Sequence, residues 1–133
     1  MAEQDKIHEV ERREFYCRGC GIVISAALTV CNDLRATGVE DGQALIPKGT
    51  FALGNQVVGA GEQFYGVRPE SWLINVDDLL NVTRGGVRNG CCGPDGMDGP
   101  NLFCPSGHAI GTEFGDCWMP HFVHLDQQSV FAK

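Results

Sequence analysis

Short apolar runs separated by turn residues are the main pattern along this chain. Phe15-Tyr16 and the run from Ile22 to Val30 lie on either side of a tight turn. WLINV at 72–76 and the stretch from His121 to Leu125 are further apolar runs of strand length. The 18 glycines and six prolines of the chain favour turns over long helices. The pattern therefore predicts a mainly β fold.

A short helical turn is expected directly after the WLINV run. Asp77 follows that run, and an aspartate side chain accepts hydrogen bonds from the free backbone N–H groups of a first helical turn. We therefore expect Asp77 to cap a helical turn that continues to Leu80, and Gly85-Gly86 to end this unit.

The length of 133 residues predicts one domain. We expect residues 1–12 to be a charged, flexible lead-in and residues 13–133 to form the domain itself. The formal net charge of −7 and the scattered basic residues disfavour nucleic acid or an anionic membrane as a partner, since both require clustered lysine and arginine.

Membrane insertion and export are not expected either. The longest apolar run, GIVISAALTVC at 21–31, is too short to span a bilayer. The first fourteen residues contain no apolar segment of the signal-peptide type. We therefore expect a cytoplasmic protein, whose seven cysteines are better explained as metal ligands or reactive thiols than as disulfides.

The clearest chemical motif is FYCRGCGIVI at 15–24. Its C-x-x-C spacing allows Cys17 and Cys20 to bind one metal ion, and the following glycine allows the chain to turn back. A redox C-x-x-C would open a helix, but the β-branched residues after Cys20 favour a strand. The motif therefore predicts one half of a zinc site at the tip of a hairpin.

The second half of the site is expected in the last third of the chain. CPSGH at 104–108 resembles a C-P-x-C-G turn without its second cysteine, so Cys104 is the third predicted ligand. The fourth ligand is Cys91, Cys92 or His108. We favour Cys92 because it is closest to the turn at Gly93-Pro94, and we expect His108 to be an ordinary surface or core histidine. The predicted ligand set is Cys17, Cys20, Cys92 and Cys104, with structural zinc.

Two zinc hairpins joined by a long insertion resemble the β-tent family, which includes Yippee proteins, the thalidomide-binding domain of cereblon and methionine sulfoxide reductase B. The resemblance covers the C-x-x-C-G turn and, loosely, SGHAIGTEF at 106–114. It implies a small zinc-stapled β domain, built from β-tent or zinc-ribbon-like hairpins. The phrases GCCGPDGMDGPNLFC and GTEFGDCWMPH also look like those of small bacterial proteins, from which no function follows.

Two functions fit these features. The first is a non-catalytic module that binds a protein or a small molecule in a groove between its sheets, for which Phe51, Phe64 and Trp72 are candidate lining residues. The alternative is a thiol enzyme like methionine sulfoxide reductase B, in which Cys117 is the nucleophile and His121 its base. We favour the module because DCWMP at 116–120 lacks the reductase pattern around its cysteine.

Overall fold

The computed structural model describes residues 12–31, 40–58, 64–86 and 89–133. The predicted lead-in lies outside these residues except for Arg12, which begins the first strand. The strands are β1 (Arg12–Arg13), β2 (Phe15–Cys17), β3 (Leu28–Val30), β4 (Thr50–Leu53), β5 (Trp72–Ile74), β6 (Thr83–Arg84), β7 (Leu102–Phe103), β8 (Ala109–Phe114), β9 (Phe122–Leu125) and β10 (Val130–Ala132). With 3₁₀ turns at Gly54–Gln56 and Val76–Asp78, the predicted mainly β fold with short helical turns is confirmed.

The strands form two sheets. Eight of them pair in the order β1-β3-β4-β5-β9-β8-β7-β6, while β10 pairs with β2 in a small second sheet. Neighbouring strands are antiparallel except for the parallel pair of β3 and β4. The small sheet joins an early strand to a late one, so the beginning and the end of the described chain are held side by side.

Apolar side chains cover both faces of the large sheet. One cluster joins the two sheets, and in it the ring of Phe15 meets Phe51 and Trp72 edge-on at centroid distances of 5.5 and 5.1 Å. The other lies on the opposite face, where Phe114 and Phe122 stack at 4.6 Å. Because alternate residues of a strand point to opposite faces, a strand covered on both sides is buried throughout. All four residues of β9 are accordingly buried.

Three of the four predicted strand regions are observed. β2 contains Phe15-Tyr16, β9 lies within the predicted His121–Leu125 stretch, and β5 covers the first three residues of WLINV. The run from Ile22 to Val30 is strand only in β3. Earlier in that run, the Ser25 hydroxyl accepts from the backbone N–H of Phe15 at 3.1 Å, so a side chain replaces a regular ladder partner.

The helical turn after β5 is present, but its cap is a different residue from the one predicted. The 3₁₀ turn covers Val76–Asp78, and the side chain of Asn75 accepts from the backbone N–H of Asp77 at 2.8 Å. The prediction that Asp77 is the cap and that the turn reaches Leu80 was wrong. Asn75 is preferred at this position because its amide also donates to the carbonyl oxygen of Ile46, which ties the turn to a neighbouring loop.

Candidate metal centre

The two cysteines of the C-x-x-C turn lie close to Cys104 and His108, which come from the last third of the chain. Ligand atoms of Cys17, Cys20, Cys104 and His108 all lie within 4.8 Å of one another, and we call these four residues the first cluster. Cys17 and Cys104 are buried, whereas Cys20 and His108 are exposed. The cluster therefore sits at the edge of the core, with two ligands anchored in it.

The first half of this cluster is a tight turn at the end of β2. The backbone N–H of Cys17 donates to the carbonyl oxygen of Ile22 at 2.9 Å, and the N–H of Gly21 donates to the carbonyl of Cys17 at 2.8 Å. Gly21 has a φ of 79°, a conformation that favours glycine. The turn places Cys17 and Cys20 on the same side of the chain reversal, as the C-x-x-C spacing predicts.

The second half is a matching turn between β7 and β8. The backbone N–H of Cys104 donates to the carbonyl oxygen of His108 at 2.9 Å, and the N–H of Gly107 donates to that of Cys104 at 2.9 Å. Gly107 has a φ of 93°. Residues 104 and 108 are thereby paired across the base of a hairpin, and their side chains lie close to each other.

The separations within the first cluster fit a four-coordinate zinc ion. Cys20 Sγ lies 3.6 Å from Cys104 Sγ, and Cys104 Sγ lies 3.2 Å from His108 Nδ1. Zinc bonds of about 2.3 Å to sulfur and about 2.0–2.1 Å to nitrogen give tetrahedral edges of about 3.8 and 3.6 Å. The two separations are thus only a few tenths of an ångström shorter than the edges of a zinc site.

Gly19 provides space for the histidine of the cluster. A Cβ atom built on Gly19 would lie 2.6–2.7 Å from three atoms of the His108 ring, which is well inside van der Waals contact. The residue directly before Cys20 in the C-x-x-C turn therefore has to be a glycine if the ring is to approach the sulfur atoms.

The thiols of the first cluster have unequal proton affinities. Burial opposes ionisation of Cys104, but hydrogen bonds from the backbone and ring of His108 outweigh it and lower the Cys104 pKa to about 6. Burial is the largest influence on Cys17, and it raises the pKa of that thiol. A metal ion must displace any proton that these thiols carry, so binding at this cluster depends on pH.

The structure places three of the four predicted ligands together and the fourth elsewhere. Cys17, Cys20 and Cys104 share the first cluster, where His108 stands in place of the predicted Cys92. Cys92 is held away because its backbone N–H donates to Asp116 Oδ1 at 3.0 Å. A signal for His108 was present in the sequence, since its four-residue spacing from Cys104 suits a hairpin whose two ends face one ion.

Cys92 belongs to a second group at the surface, the surface cluster, which consists of Cys91, Cys92, Asp116 and Cys117. Its ligand atoms also lie within 4.8 Å of one another. Cys91 Sγ is 3.5 Å from Cys92 Sγ and 3.4 Å from Cys117 Sγ. All three cysteines are exposed, whereas the aspartate is buried. The seventh cysteine, Cys31, is buried and belongs to neither cluster.

Asp116 organises the backbone around the surface cluster. Its Oδ1 accepts from the backbone N–H groups of Cys92 and Cys117 at 3.0 and 2.7 Å, and its Oδ2 accepts from the indole N–H of Trp118 at 2.7 Å. Burial alone would raise the pKa of this carboxyl, but the hydrogen bonds together lower it to about 2. The carboxylate is therefore charged at neutral pH.

The two residues of the thiol-enzyme alternative, Cys117 and His121, have separate partners. His121 Nε2 lies 2.9 Å from the backbone oxygen of Asp116, so this nitrogen carries a proton and donates to the carbonyl. Side-chain contacts with Cys92 and Cys91 raise the pKa of Cys117 to about 12. His124, on β9, is buried, and its Nε2 accepts from the backbone N–H of Arg68 at 3.4 Å.

All seven cysteines lie among the described residues, and none of them is in a disulfide. In the described part of the chain, no helix is long and apolar enough to cross a membrane. Comparison with protein-family models, with curated proteins and with solved structures found no match to this chain.

Proposed function

We propose that this protein is a small zinc-binding β domain in which Cys17, Cys20, Cys104 and His108 hold a structural zinc ion. The observation that carries the proposal is the convergence of three sulfur atoms and one imidazole nitrogen within 4.8 Å. A Cys₃His set is one of the standard ligand sets of structural zinc, and soft thiolates disfavour magnesium and calcium. The resemblance to β-tent domains implies the same kind of site.

A structural role follows from where the ligands come from. The ligand pair on the first turn and the pair on the second turn are separated by most of the chain, with Cys20 and Cys104 84 residues apart. An ion that joins them connects the β2 turn to the turn between β7 and β8. Four protein ligands also close a tetrahedral shell, which leaves no position for a substrate. Structural zinc contributes on the order of 10 kcal/mol of binding free energy to such folds.

The experiment is the metal content and unfolding of protein purified under reducing conditions without added metal. We expect tightly held zinc in the wild type. Cys17→Ser and His108→Ala should lose this ion, and they should also lose the cooperative unfolding transition. Cys31→Ala is the matched control, because it removes a thiol that lies in neither cluster. If Cys17→Ser and His108→Ala keep the same zinc content and the same unfolding transition as the wild type, the proposal is wrong.

We further propose that this domain is a binding module, because a groove lies between the two sheets. The groove has a volume of about 600 Å³ and is lined by Phe51, Leu53 and Trp72 from the large sheet and by Phe131 from the small one. Arg18 lies at its rim, with its guanidinium carbon 5.8 Å from the centre of the Phe131 ring. An apolar floor beside a cation suits a small molecule, or a protein side chain, that combines an apolar body with a negative group.

Fragment titration followed by NMR tests this assignment. Aromatic carboxylates are expected to shift the resonances of Trp72 and Phe131, and the matched neutral amides are expected to bind more weakly because they lose the attraction to Arg18. Leu53→Asp is expected to abolish the shifts, since it places a like charge in the groove. Equal shifts for the acids and the amides would contradict the charge argument.

The free cysteines of this protein also lead us to place it in a reducing compartment, the cytoplasm.

A further inference from the structure

We propose that the surface cluster is a second metal site, in which the thiolates of Cys91, Cys92 and Cys117 bind a thiophilic d¹⁰ ion, Zn²⁺ or Cu⁺, and leave one coordination position open. The proposal is independent of the structural site, since the two clusters share no residue. It assigns a role to the cysteine- and glycine-rich loop at 89–104, which the structural zinc does not use except at Cys104.

The three sulfur atoms are spaced as ligands of one ion. Cys91 Sγ lies 3.5 and 3.4 Å from the sulfurs of Cys92 and Cys117. Zinc–sulfur bonds of about 2.3 Å require tetrahedral S–S edges of about 3.8 Å, so an expansion of a few tenths of an ångström admits the ion. Cys91 and Cys92 are adjacent, and in an extended strand their side chains would point to opposite sides. The loop instead brings both toward Cys117.

Asp116 is a positioning residue of this site. Its Oδ1 already accepts from the backbone N–H groups of Cys92 and Cys117, and its Oδ2 accepts from Trp118. The Cys91 thiol also donates to Asp116 Oδ1 at 3.6 Å, so these four bonds match the roughly four lone-pair sites of a carboxylate. The buried carboxylate thus holds the two cysteine backbones at fixed positions, and the exposed sulfur atoms are left to bind the ion.

Two glycines allow the loop to close on this carboxylate. A Cβ atom on Gly90 would clash with the carbonyl oxygen of Gly93 and lie 2.8 Å from Asp116 Oδ2. A Cβ atom on Gly93 would clash with the carbonyl oxygen of Gly115. The backbone of the loop is therefore packed directly against the segment that carries Asp116 and Cys117, and this close approach is what brings the three thiols together.

The open position follows from the ligand count. Asp116 also has an oxygen within 4.8 Å of the sulfurs, but its two oxygens accept from backbone and indole N–H groups. With the three sulfurs as ligands, a tetrahedral ion keeps one unfilled position, and all three cysteines face solvent. Binding of Zn²⁺ displaces up to three thiol protons and leaves the three thiolates and the ion with a net charge of −1, whereas Cu⁺ leaves −2. A site of this kind exchanges its ion or accepts an external ligand, which a closed structural site does not.

The first test is the number of ions bound by the full chain under anaerobic, reducing conditions. Zn²⁺ and Cu⁺ are each titrated against a competing chelator of known affinity. We expect the wild type and Cys31→Ala to bind two ions, and the triple-serine variant, Cys91→Ser/Cys92→Ser/Cys117→Ser, to bind one and to remain folded. Of the two metals, the one whose binding differs more between the wild type and the triple-serine variant is the ion of the surface cluster.

The outcomes separate this proposal from the structural one. A wild type that binds a single ion, which the triple-serine variant retains, overturns the surface site and leaves the structural site intact. If the triple-serine variant binds no ion, the structural assignment fails instead. Asp116→Asn provides a second variant with all thiols present, and we expect it to weaken the second ion about 10–100-fold without affecting the first. Unchanged affinity for both ions would contradict the role of Asp116.

Cobalt substitution tests the open position. The sulfur-to-cobalt absorption scales with the number of bound thiolates, so the triple-serine variant, which keeps three of the six clustered cysteines, should show about half the wild-type intensity. Added imidazole is expected to shift the visible bands of the wild type but not those of the triple-serine variant. An identical response in the two proteins would show that the surface cluster presents no open position.

Discussion

Replacement of Gly19 by alanine is the sharpest test of His108 as a zinc ligand. The new Cβ atom would lie 2.6 Å from His108 Cδ2, whereas carbon atoms in contact are about 3.5–4.0 Å apart. The ring must therefore withdraw by about 1 Å. Metal–ligand distances tolerate about 0.2 Å, so His108 Nδ1 can no longer bind as before.

The expected effect is a fall in zinc affinity of at least about 10–100-fold, which corresponds to about 1.4–2.8 kcal/mol. The assay is competition with a chromophoric chelator, carried out in the triple-serine background so that the first cluster is observed alone. Without metal, the proteins with and without the substitution should behave alike on heating, because the exposed His108 ring can then turn toward solvent.

Gly85→Ala is the matched control for this substitution. Its Cβ atom would lie 3.4 Å from the ring of Phe103, which is an ordinary contact, and Gly85 does not have a positive φ. We expect this variant to bind zinc like its parent. If Gly19→Ala also binds zinc with the parent affinity, His108 is not a ligand and the four-residue site has to be abandoned.

Two further predictions concern the fold. Burial lowers the pKa of His124, so the protein should lose stability as the pH falls below about 6.5, where the unfolded chain takes up a proton, by at most about 1.4 kcal/mol per pH unit. Urea unfolding of the wild type and of His124→Gln between pH 7.5 and 5.5 measures this loss. The difference in their free energies of unfolding should change with pH, and a constant difference would contradict the role of His124. Phe15→Ala should lower the free energy of unfolding by about 3–5 kcal/mol because the ring is fully buried, whereas Leu80→Ala, at a side chain that is 45% exposed, should change it by about 0.5 kcal/mol or less. Equal effects in denaturant titrations would place the core elsewhere.

Local chemistry made much of the first cluster predictable from the sequence. The C-x-x-C spacing and the glycine after Cys20 fix a turn within a few residues, and the CPSGH segment resembles such a turn, which identified Cys104. The choice between Cys92 and His108 depended on where a glycine-rich loop folds. Asp116 fixes the path of that loop through its hydrogen bond with the backbone N–H of Cys92. A bond between residues so far apart leaves no periodic pattern in the sequence.

The same limit applies to the strands. Apolar runs predicted β5 and β9 because both faces of these strands are covered, and burial of this kind is visible in composition. The irregular path between Gly21 and Leu28 was not predictable, since the Ser25 hydroxyl takes the place of a ladder partner there. Asn75 was missed as a cap because it belongs by composition to the apolar run before it.

The distance along the chain between the two halves of the first cluster has a consequence for biosynthesis. Cys20 leaves the ribosome 84 residues before Cys104, a delay of roughly 4–17 s at about 5–20 residues per second. During that interval the nascent polypeptide presents a two-sulfur half-site to the cell, open to oxidation and to foreign ions. Correct loading has to wait until Cys104 and His108 have also been synthesised, so the first turn cannot reach its final shape when it is made.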